Sequence, residues 1–267
     1  MIKAAYFDVD GTLLSFKTHS MPDEAVAWLK RLRESGAKIF LATGRNGDST
    51  RFLMETGLFD GEILLSGQLC RVDGKDVFSN AVCEHDLEAA ISAAESGEFT
   101  LGFLSGNESF VTGVNDYVTR ACSYAGMPQP RLDAPAVARR QPIYQIHCYG
   151  EPGTEDKLLD RMQKLTAVRW SPNFADVYPT GGGKDRGMEA INAYLGISRE
   201  ETIAFGDADN DIPMLKYAGI SVAMGGSAEQ VRMAADLVTT GVDEGGLAMG
   251  IGYVMDHFDD LISRKNK

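Results

Sequence analysis

Residues 6–14 read YFDVDGTLL, the stretch that decides how this chain folds. The apolar run Ala4–Phe7 predicts a buried strand, and Gly11 is a turn residue that ends it. Asp8 and Asp10 stand two residues apart, so they share one face of an extended chain. At the carboxyl end of a strand they offer a nucleophile beside a second acid, and a hard cation such as Mg²⁺ would offset their repulsion. A solvated acidic turn is the alternative.

A second segment ends another predicted strand, Lys38–Ala42, and reads TGR at residues 43–45. A hydroxyl at a strand end, followed by glycine, suits the binding of a phosphate oxygen by Thr43 Oγ1 and nearby backbone N–H groups. Taken alone, the same letters also fit an ordinary loop.

Two charged segments follow in the last third of the chain. Lys184 comes after the glycines 181–183 and before a predicted helix, Asp185–Leu195. It could neutralise phosphate charge, or it could be a solvated loop lysine. Residues 204–215 read AFGDADNDIPML, so the predicted strand Thr202–Phe205 leads three acids and an amide into one loop. That density of acids indicates a nearby cation.

Together the motifs DxDGTLL, ATGR, GK and GDxxNDIxML resemble the haloacid dehalogenase superfamily of phosphatases. They stand in the family order across residues 8–215. The last motif, with VAMG at residues 222–225, is similar to the Cof-type subgroup, subclass IIB. Two stretches depart from the family pattern, LSGQ at residues 65–68 and GGS at residues 225–227. The first bears on substrate positioning, and neither touches the motif acids.

The resemblance implies a role for each motif residue. Asp8 would attack phosphorus and form an aspartyl-phosphate, while Asp10 would act as general acid and then as general base. Lys184 completes the implied catalytic set. The implied phosphate-binding residues are Gly11, Thr43, Gly44, Lys184 and Asn210. The implied Mg²⁺ ligands are Asp8, the Asp10 carbonyl oxygen and Asp207, with Asp211 either ligating through water or orienting Lys184.

The alternation of strands and helices predicts an α/β fold with a parallel sheet and helices on both faces. After the first strand come a predicted helix Pro22–Ser35, the strand Lys38–Ala42, a helix Asp48–Thr56 and a strand Glu62–Leu65. Ligands bind such sheets at the carboxyl ends of the strands, where Asp8, Thr43 and Asp207 would lie. The resemblance implies the same architecture, a Rossmann-like doubly wound core.

Past Asp73-Gly74, a hairpin turn signal, the pattern changes to mixed helices and strands, including a predicted helix Thr154–Lys164. This α+β insertion matches the C2-type cap of the family in position. We therefore expect a catalytic core of residues 1–82 and 182–267 and a C2B-type cap of residues 83–181. A cap of this kind would contact the leaving group, and its candidate specificity residues are Asn115, Asp116, Arg139, Arg140, Tyr144, His147 and Tyr178.

Composition limits the partners. The chain has 267 residues and a net charge of −12, and this charge disfavours a nucleic-acid backbone as a partner. No apolar run approaches the length of a membrane span, and the chain begins directly with a strand, so we expect neither a membrane segment nor a signal peptide. Four scattered cysteines favour thiols in a reducing cytoplasm over disulfides or zinc. Monomer and homodimer both stay open.

The leading hypothesis is a Mg²⁺-dependent phosphatase acting on a small phosphorylated metabolite, with a sugar phosphate favoured by the resemblance. The enzymatic alternative is a sugar phosphomutase or phosphotransferase of the same fold. A catalytically silent phosphoester-binding protein is the alternative from another class.

Overall fold

The structure is a computed structural model that describes residues 1–125, 129–169 and 171–265. The chain divides into two compact units. Unit 1 comprises Met1–Arg45, Thr50–Phe78 and Gly183–Lys267, and unit 2 comprises Asn46–Ser49 and Ser79–Gly182.

Strands and helices alternate through most of unit 1 and are mixed in unit 2. The strands are β1 (Ala4–Phe7), β2 (Lys38–Ala42), β3 (Gly61–Leu64), β4 (Leu69–Val72), β5 (Lys75–Ser79), β6 (Thr100–Ser105), β7 (Ser109–Val111), β8 (Ile143–Tyr149), β9 (Leu165–Val168), β10 (Phe174–Pro179), β11 (Thr202–Gly206), β12 (Ile220–Ala223) and β13 (Leu237–Val238). The α-helices are α1 (Asp23–Glu34), α2 (Gly47–Met54), α3 (Glu84–Glu95), α4 (Asp116–Ala125), α5 (Thr154–Leu159), α6 (Lys184–Leu195), α7 (Ile212–Tyr217), α8 (Glu229–Ala234) and α9 (Gly246–Lys265). Among the helices described, none has both the length and the apolar character needed to cross a membrane.

Unit 1 is built on an eight-stranded sheet in the order β13-β12-β11-β1-β2-β3-β4-β5. The six strands from β13 to β3 pair in parallel, and β4 returns antiparallel to β3. Parallel neighbours need crossover connections, which the intervening helices supply. The predicted α/β class with a mainly parallel central sheet is confirmed.

Both faces of this sheet are covered, because β1 is buried along its whole length. On one face Ala5 and Phe7 pack in a core with the apolar sides of α1 and α9. On the other face Ala4 and Tyr6 pack with α6, α7 and α8. The period-two alternation of a strand sends successive side chains into these two cores.

The register of the parallel strands brings their carboxyl ends to one edge. Phe7 at the end of β1 is paired with Leu41 in β2 and with Phe205 in β11. The residues that follow each strand therefore enter the same region, and this places the Asp8, Thr43 and Asp207 segments together.

Several element boundaries differ from the sequence-based predictions. The strand predicted to end at Leu65 ends at Leu64, because Leu65 and Ser66 adopt positive φ angles of 52° and 56°. The helix predicted over Thr154–Lys164 ends at Leu159, and the chain enters β9 at Leu165. The hairpin signal is confirmed: Asp73 and Gly74, with φ of 48° and 74°, connect β4 to β5.

Unit 2 contains a five-stranded antiparallel sheet in the order β7-β6-β8-β10-β9. One face, which includes Ile146, Cys148 and Val177, packs with α3 and α5 in an apolar core. Tyr149 and Phe174 form a smaller cluster with α4.

Candidate active site

Three acids of unit 1 converge at the carboxyl edge of the parallel sheet. Asp8 directly follows β1, Asp207 directly follows β11, and Asp211 ends the 3₁₀ turn Asp209–Asp211. One carboxylate oxygen from each lies within 4.8 Å of the others. Asp8 and Asp211 are buried, and Asp207 is half-buried.

Lys184 joins two of these acids. Its Nζ donates to Asp8 Oδ1 at 2.5 Å and to Asp211 Oδ1 at 2.6 Å. The lysine is the first residue of α6, and its side chain is fully buried. Asp8 and Asp211, which lie 176 and 27 positions from Lys184 in the sequence, are thus linked through one ammonium group.

Asp211 is hydrogen bonded through both oxygens. Oδ1 accepts from Lys184, while Oδ2 accepts the backbone N–H groups of Asp207 and Ala208, each at 2.9 Å. The side chain therefore fixes the acidic loop and the lysine at the same time.

The electrostatics of the cluster follow from burial and from crowding of like charges. Burial, reinforced by Asp211, raises the pKa of Asp8 well above its ordinary value, and Lys184 acts in the opposite direction. Burial and Asp211 likewise raise the pKa of Asp207 to about 6. Burial disfavours the charged form of Lys184, but its contacts with Asp211 and Asp8 raise its pKa above the usual value. The cluster places three carboxyl groups around one ammonium group.

The turn after β1 closes against Asp207. Gly11 has φ of 91°, and a Cβ there would collide with the Asp207 carboxylate. Glycine is required both for the left-handed backbone and for this close approach. Next to it, Thr12 Oγ1 donates to Asp207 Oδ1 at 2.9 Å. Sequence reasoning assigned Thr12 no role, although its position in the DxDGT motif was a usable signal.

The Thr43 loop is hydrogen bonded to the neighbouring strand β3. Thr43 is buried; its N–H donates to the carbonyl oxygen of Ile63 at 2.8 Å, and its Oγ1 accepts the Arg45 N–H at 3.1 Å. The turn Leu65–Gly67 supports the loop, since the Ser66 N–H donates to the Thr43 carbonyl oxygen at 2.9 Å. Gly44 lies beside the Ser66 hydroxyl.

Asp10 pairs with Arg45. Arg45 Nε donates to Asp10 Oδ2 at 2.8 Å, and Nη2 donates to Oδ1 at 2.5 Å. Both side chains are partly exposed, in contrast to the buried lysine cluster. Arg45 is a second residue to which sequence reasoning gave no role, even though it closes the TGR motif.

Asn210 lies in the middle of the 3₁₀ turn, and it is exposed. It shares that exposure with Asp209, which accepts a hydrogen bond from Gln230. Of the predicted site residues, Asn210 is thus the one that stands at the surface of the acidic loop, close in sequence to the buried Asp211.

The candidate specificity residues of unit 2 have varied surroundings. The Arg139 guanidinium forms two hydrogen bonds of 2.7 Å with Glu88, and Asn115 Oδ1 accepts the Val118 N–H at the start of α4. His147 is mostly buried and lies 3.3 Å from Asp176 Oδ1 through Nε2. Burial lowers the pKa of His147, and Asp176 acts in the opposite direction.

The remaining candidates of unit 2 include exposed positions and one hydrogen-bonded tyrosine. The Tyr144 hydroxyl is 3.1 Å from Ser79 Oγ. Burial raises the pKa of Tyr178. Asp116 and Arg140 are exposed.

The donor set at the acidic cluster suits a hard divalent cation. Oxygen ligands, carboxylates above all, are preferred by Mg²⁺, and three carboxylates have an oxygen within 4.8 Å of one another here. A parallel sheet with acids and a lysine at its carboxyl edge is an arrangement that suits phosphoryl transfer.

Comparison with known proteins gives the family. A profile described as haloacid dehalogenase-like hydrolase matches residues 5–251. The solved phosphatase BT1666 of Bacteroides thetaiotaomicron is 34% identical with a TM-score of 0.86, over 97% of this chain and 96% of that chain. The subclass IIB sugar phosphatase BT4131 is 32% identical with a TM-score of 0.83, over 94% of this chain and 98% of that chain. The HMP-PP phosphatase of Citrobacter koseri is 28% identical over 244 residues, 86% of this chain and 87% of that protein.

The chain belongs to the haloacid dehalogenase-like hydrolases. The resemblance to the Cof-type, subclass IIB branch is confirmed, and so is the fold of a doubly wound core sheet with a cap. It is a phosphatase of this family, a hydrolase that acts on phosphate esters.

Proposed function

We propose that this chain is a Mg²⁺-dependent phosphatase that hydrolyses a small phosphorylated metabolite through an aspartyl-phosphate on Asp8. One observation carries the proposal: Lys184 is buried between Asp8 and Asp211, with Asp207 beside them. A buried cluster with excess negative charge is costly unless a ligand completes it. Such residues at the carboxyl edge of a parallel sheet suit phosphoryl transfer.

The metal ligands we propose are Asp8, Asp207 and the carbonyl oxygen of Asp10. Mg²⁺ bound there would neutralise phosphate charge and lower the barrier to attack by an anionic nucleophile. For Asp211 we favour the second of the two roles that the sequence left open. Its two oxygens already accept from Lys184 and from the loop N–H groups, so it orients the lysine and the loop.

In the first half of the reaction, an oxygen of the Asp8 carboxylate attacks phosphorus. A bond forms between Asp8 and phosphorus while the ester P–O bond breaks, and the leaving oxygen takes a proton from Asp10 to become an alcohol. Lys184 stabilises the charge on the nucleophile and the transferring group, because its Nζ already contacts Asp8.

In the second half, water attacks phosphorus of the aspartyl-phosphate. Asp10, now a carboxylate, accepts the proton of that water, the bond between phosphorus and Asp8 breaks, and inorganic phosphate leaves. The acid–base group returns to its starting form, so the net reaction is hydrolysis of the ester to an alcohol and phosphate.

The remaining motif residues hold the phosphoryl group. We propose that Thr43 donates its hydroxyl hydrogen, since its oxygen accepts the Arg45 N–H and the hydrogen stays available. The backbone N–H groups of Gly11 and Gly44 and the amide of Asn210 are proposed as further donors. Asn210 is exposed on a short turn, a position from which its side chain can reach a ligand.

A sugar phosphate is the substrate class we propose. The subclass IIB relative is named a sugar phosphatase, and a second relative is an HMP-PP phosphatase, so small phosphorylated compounds are the common theme. We further propose that residues 83–181 act as the cap that sets specificity and that the protein works in the cytoplasm, with free metabolites as its substrates.

The test is phosphate release from a panel of sugar phosphates, nucleotides and cofactor phosphates, with Mg²⁺ or with EDTA. We expect Mg²⁺-dependent release that is highest for a sugar phosphate. Isomerisation of a sugar phosphate that outpaces phosphate release, with a bisphosphate activator present, would favour a phosphomutase instead. Tight binding of compounds in the panel without release from any of them would favour a silent binding protein.

A further inference from the structure

The TGR motif contains a charged residue that the proposed mechanism leaves unused. We propose that Arg45 is a positioning residue for Asp10, holding the acid–base carboxylate in the orientation that the reaction needs. The inference rests on the proposed function, since it assumes that Asp10 transfers protons.

The contact has the geometry of a fork. Nε and Nη2 of Arg45 each donate to a different oxygen of Asp10, at 2.8 and 2.5 Å. Two parallel hydrogen bonds between a planar guanidinium and a carboxylate fix both the distance and the plane of the carboxylate. A lysine would supply the charge without that plane.

Arg45 is itself fixed by backbone hydrogen bonds. Its N–H donates to Thr43 Oγ1 at 3.1 Å, and its carbonyl oxygen accepts the Leu65 N–H at 3.0 Å. Leu65 and Ser66 have positive φ angles, a conformation that costs free energy for residues other than glycine. The LSGQ turn, where the sequence departs from the family pattern, therefore supports the backbone from which the fork projects.

Asp10 needs such support more than Asp8 does. Asp8 is held by Lys184 in a buried cluster, whereas the side chain of Asp10 is 41% exposed. An exposed aspartate can rotate about two side-chain torsions, and only some rotamers would aim an oxygen at the leaving group or at the attacking water. The fork restricts that rotation.

The fork leaves room for proton transfer. Each oxygen of Asp10 accepts one hydrogen bond from Arg45, and each carboxylate oxygen has a second lone pair. Asp10 can therefore give a proton to the leaving oxygen and take one from water while Arg45 holds its orientation. Loss of the fork should slow both halves of the reaction.

The experiment is a double-mutant cycle with Arg45→Met, Asp10→Asn and the double variant, assayed with the best substrate of the panel. We expect Arg45→Met to lower kcat by roughly 10- to 100-fold with little change in KM, because orientation is lost and binding is kept. In the Asp10→Asn background the same change should cost less than about twofold, because the group that it positions is gone. Arg45→Lys should recover only part of the loss.

Controls separate this outcome from misfolding. Arg33→Met removes another arginine of unit 1 that pairs with an aspartate, Asp60 at 2.8 Å, and should leave kcat unchanged. Inhibition by inorganic phosphate should be the same in Arg45→Met and in wild type, which reports an intact phosphate site.

Two results would overturn the assignment while leaving the phosphatase proposal standing. One is an Arg45→Met effect that is equally large in the Asp10→Asn background, and the other is an effect confined to KM. Either would mean that Arg45 contacts the substrate directly. A wild-type protein that releases no phosphate would instead defeat the proposed function itself.

Discussion

Two ion-pair clusters, one in each unit, have similar distances and different surroundings. In unit 2, Arg169 donates to both oxygens of Glu155 at 2.7 and 2.5 Å, and its remaining Nη1 donates to the carbonyl oxygens of Gly150 and Ser171. One positive charge is paired with one negative charge, and both carboxylate oxygens of Glu155 accept hydrogen bonds from the guanidinium. In unit 1, Lys184 makes contacts of 2.5 and 2.6 Å with two acids, and Asp207 adds a third acid.

The pKa directions separate the two clusters. The hydrogen bonds from Arg169 lower the pKa of Glu155, as expected for a carboxylate with a matched partner. In the Lys184 cluster burial and neighbouring acids raise the pKa of Asp8. The Arg169 pair is balanced, with one acid for one cation, whereas the Lys184 cluster has three acids around one ammonium group. The ion-pair distances are similar in the two clusters, so the number of acids around each cation is what distinguishes them.

The largest expected effect comes from the proposed nucleophile, Asp8. Asp8→Asn should lower the rate of phosphate release by more than about 10³-fold, because it removes the covalent route rather than one stabilising donor. The matched control is Asp209→Asn, the same chemical change at an exposed acid of the neighbouring loop, which should retain activity. Equal losses in both variants would mean that the general charge of the loop, and not Asp8, is what matters.

Next in size is the lysine. Lys184→Met should lower kcat by on the order of 10²–10³-fold, as for loss of a preorganised charge donor. It should also destabilise the protein, since Asp8 and Asp211 lose their buried counter-charge. Steady-state kinetics and thermal unfolding would measure both. Arg186→Met, at an exposed pair two residues further on, is the control; comparable losses there would remove the special role of Lys184.

The balanced pair of Arg169 and Glu155 should affect stability and leave activity nearly unchanged. Arg169→Met should lower the free energy of unfolding by about 3 kcal/mol, because Glu155 is left buried without its partner. Activity per folded molecule should stay close to wild type. Because the pKa of Glu155 is lowered, the contribution of the pair is present above about pH 4.5 and is lost as the pH falls further. A large fall in kcat without a loss of stability would mean that the Arg169 pair, like the Lys184 cluster, acts in the reaction.

The smallest effect is a pH-dependent response to Mg²⁺. The pKa of Asp207 is raised to about 6 in the folded protein, compared with the ordinary value of 3.8. Between these two values, folded protein without metal keeps a proton on Asp207 that the unfolded chain has already released. This contribution to stability is present below that ordinary value and is lost as the pH rises through about 6. Mg²⁺ should therefore raise the melting temperature more at about pH 7.5 than at about pH 5.

Melting curves with Mg²⁺ or EDTA at both pH values would measure that difference. Asp207→Asn should abolish most of it. An equal shift at the two pH values would mean that the acids are not the groups that Mg²⁺ neutralises.

The sequence predicted the core strands well because buried parallel strands are apolar runs between turn residues. Both β1 and β2 have the predicted bounds. The convergence of Asp8 and Asp207 follows from the same reasoning, since parallel strands end at one edge. The two-residue strand β13 is too short to leave a pattern of its own.

Side-chain direction beyond a strand end is harder to predict. Asp10 pairs with Arg45, which is 35 positions away in the sequence, and no periodicity encodes that contact. The positive φ angles of Leu65 and Ser66 are equally hidden, because neither residue type favours a left-handed conformation. Both features depend on tertiary contacts of the Thr43 loop.

The proposed reaction requires Asp8 to carry the phosphoryl group between its two halves. The most direct measurement is to mix wild type with the best substrate and Mg²⁺, quench in acid at short times and map the phosphorylated peptide by mass spectrometry. We expect phosphate on the peptide that contains Asp8 and no such peptide in Asp8→Asn. Substrate turnover with no phosphorylated peptide at any time, under conditions in which Asp10→Asn also accumulates none, would contradict it.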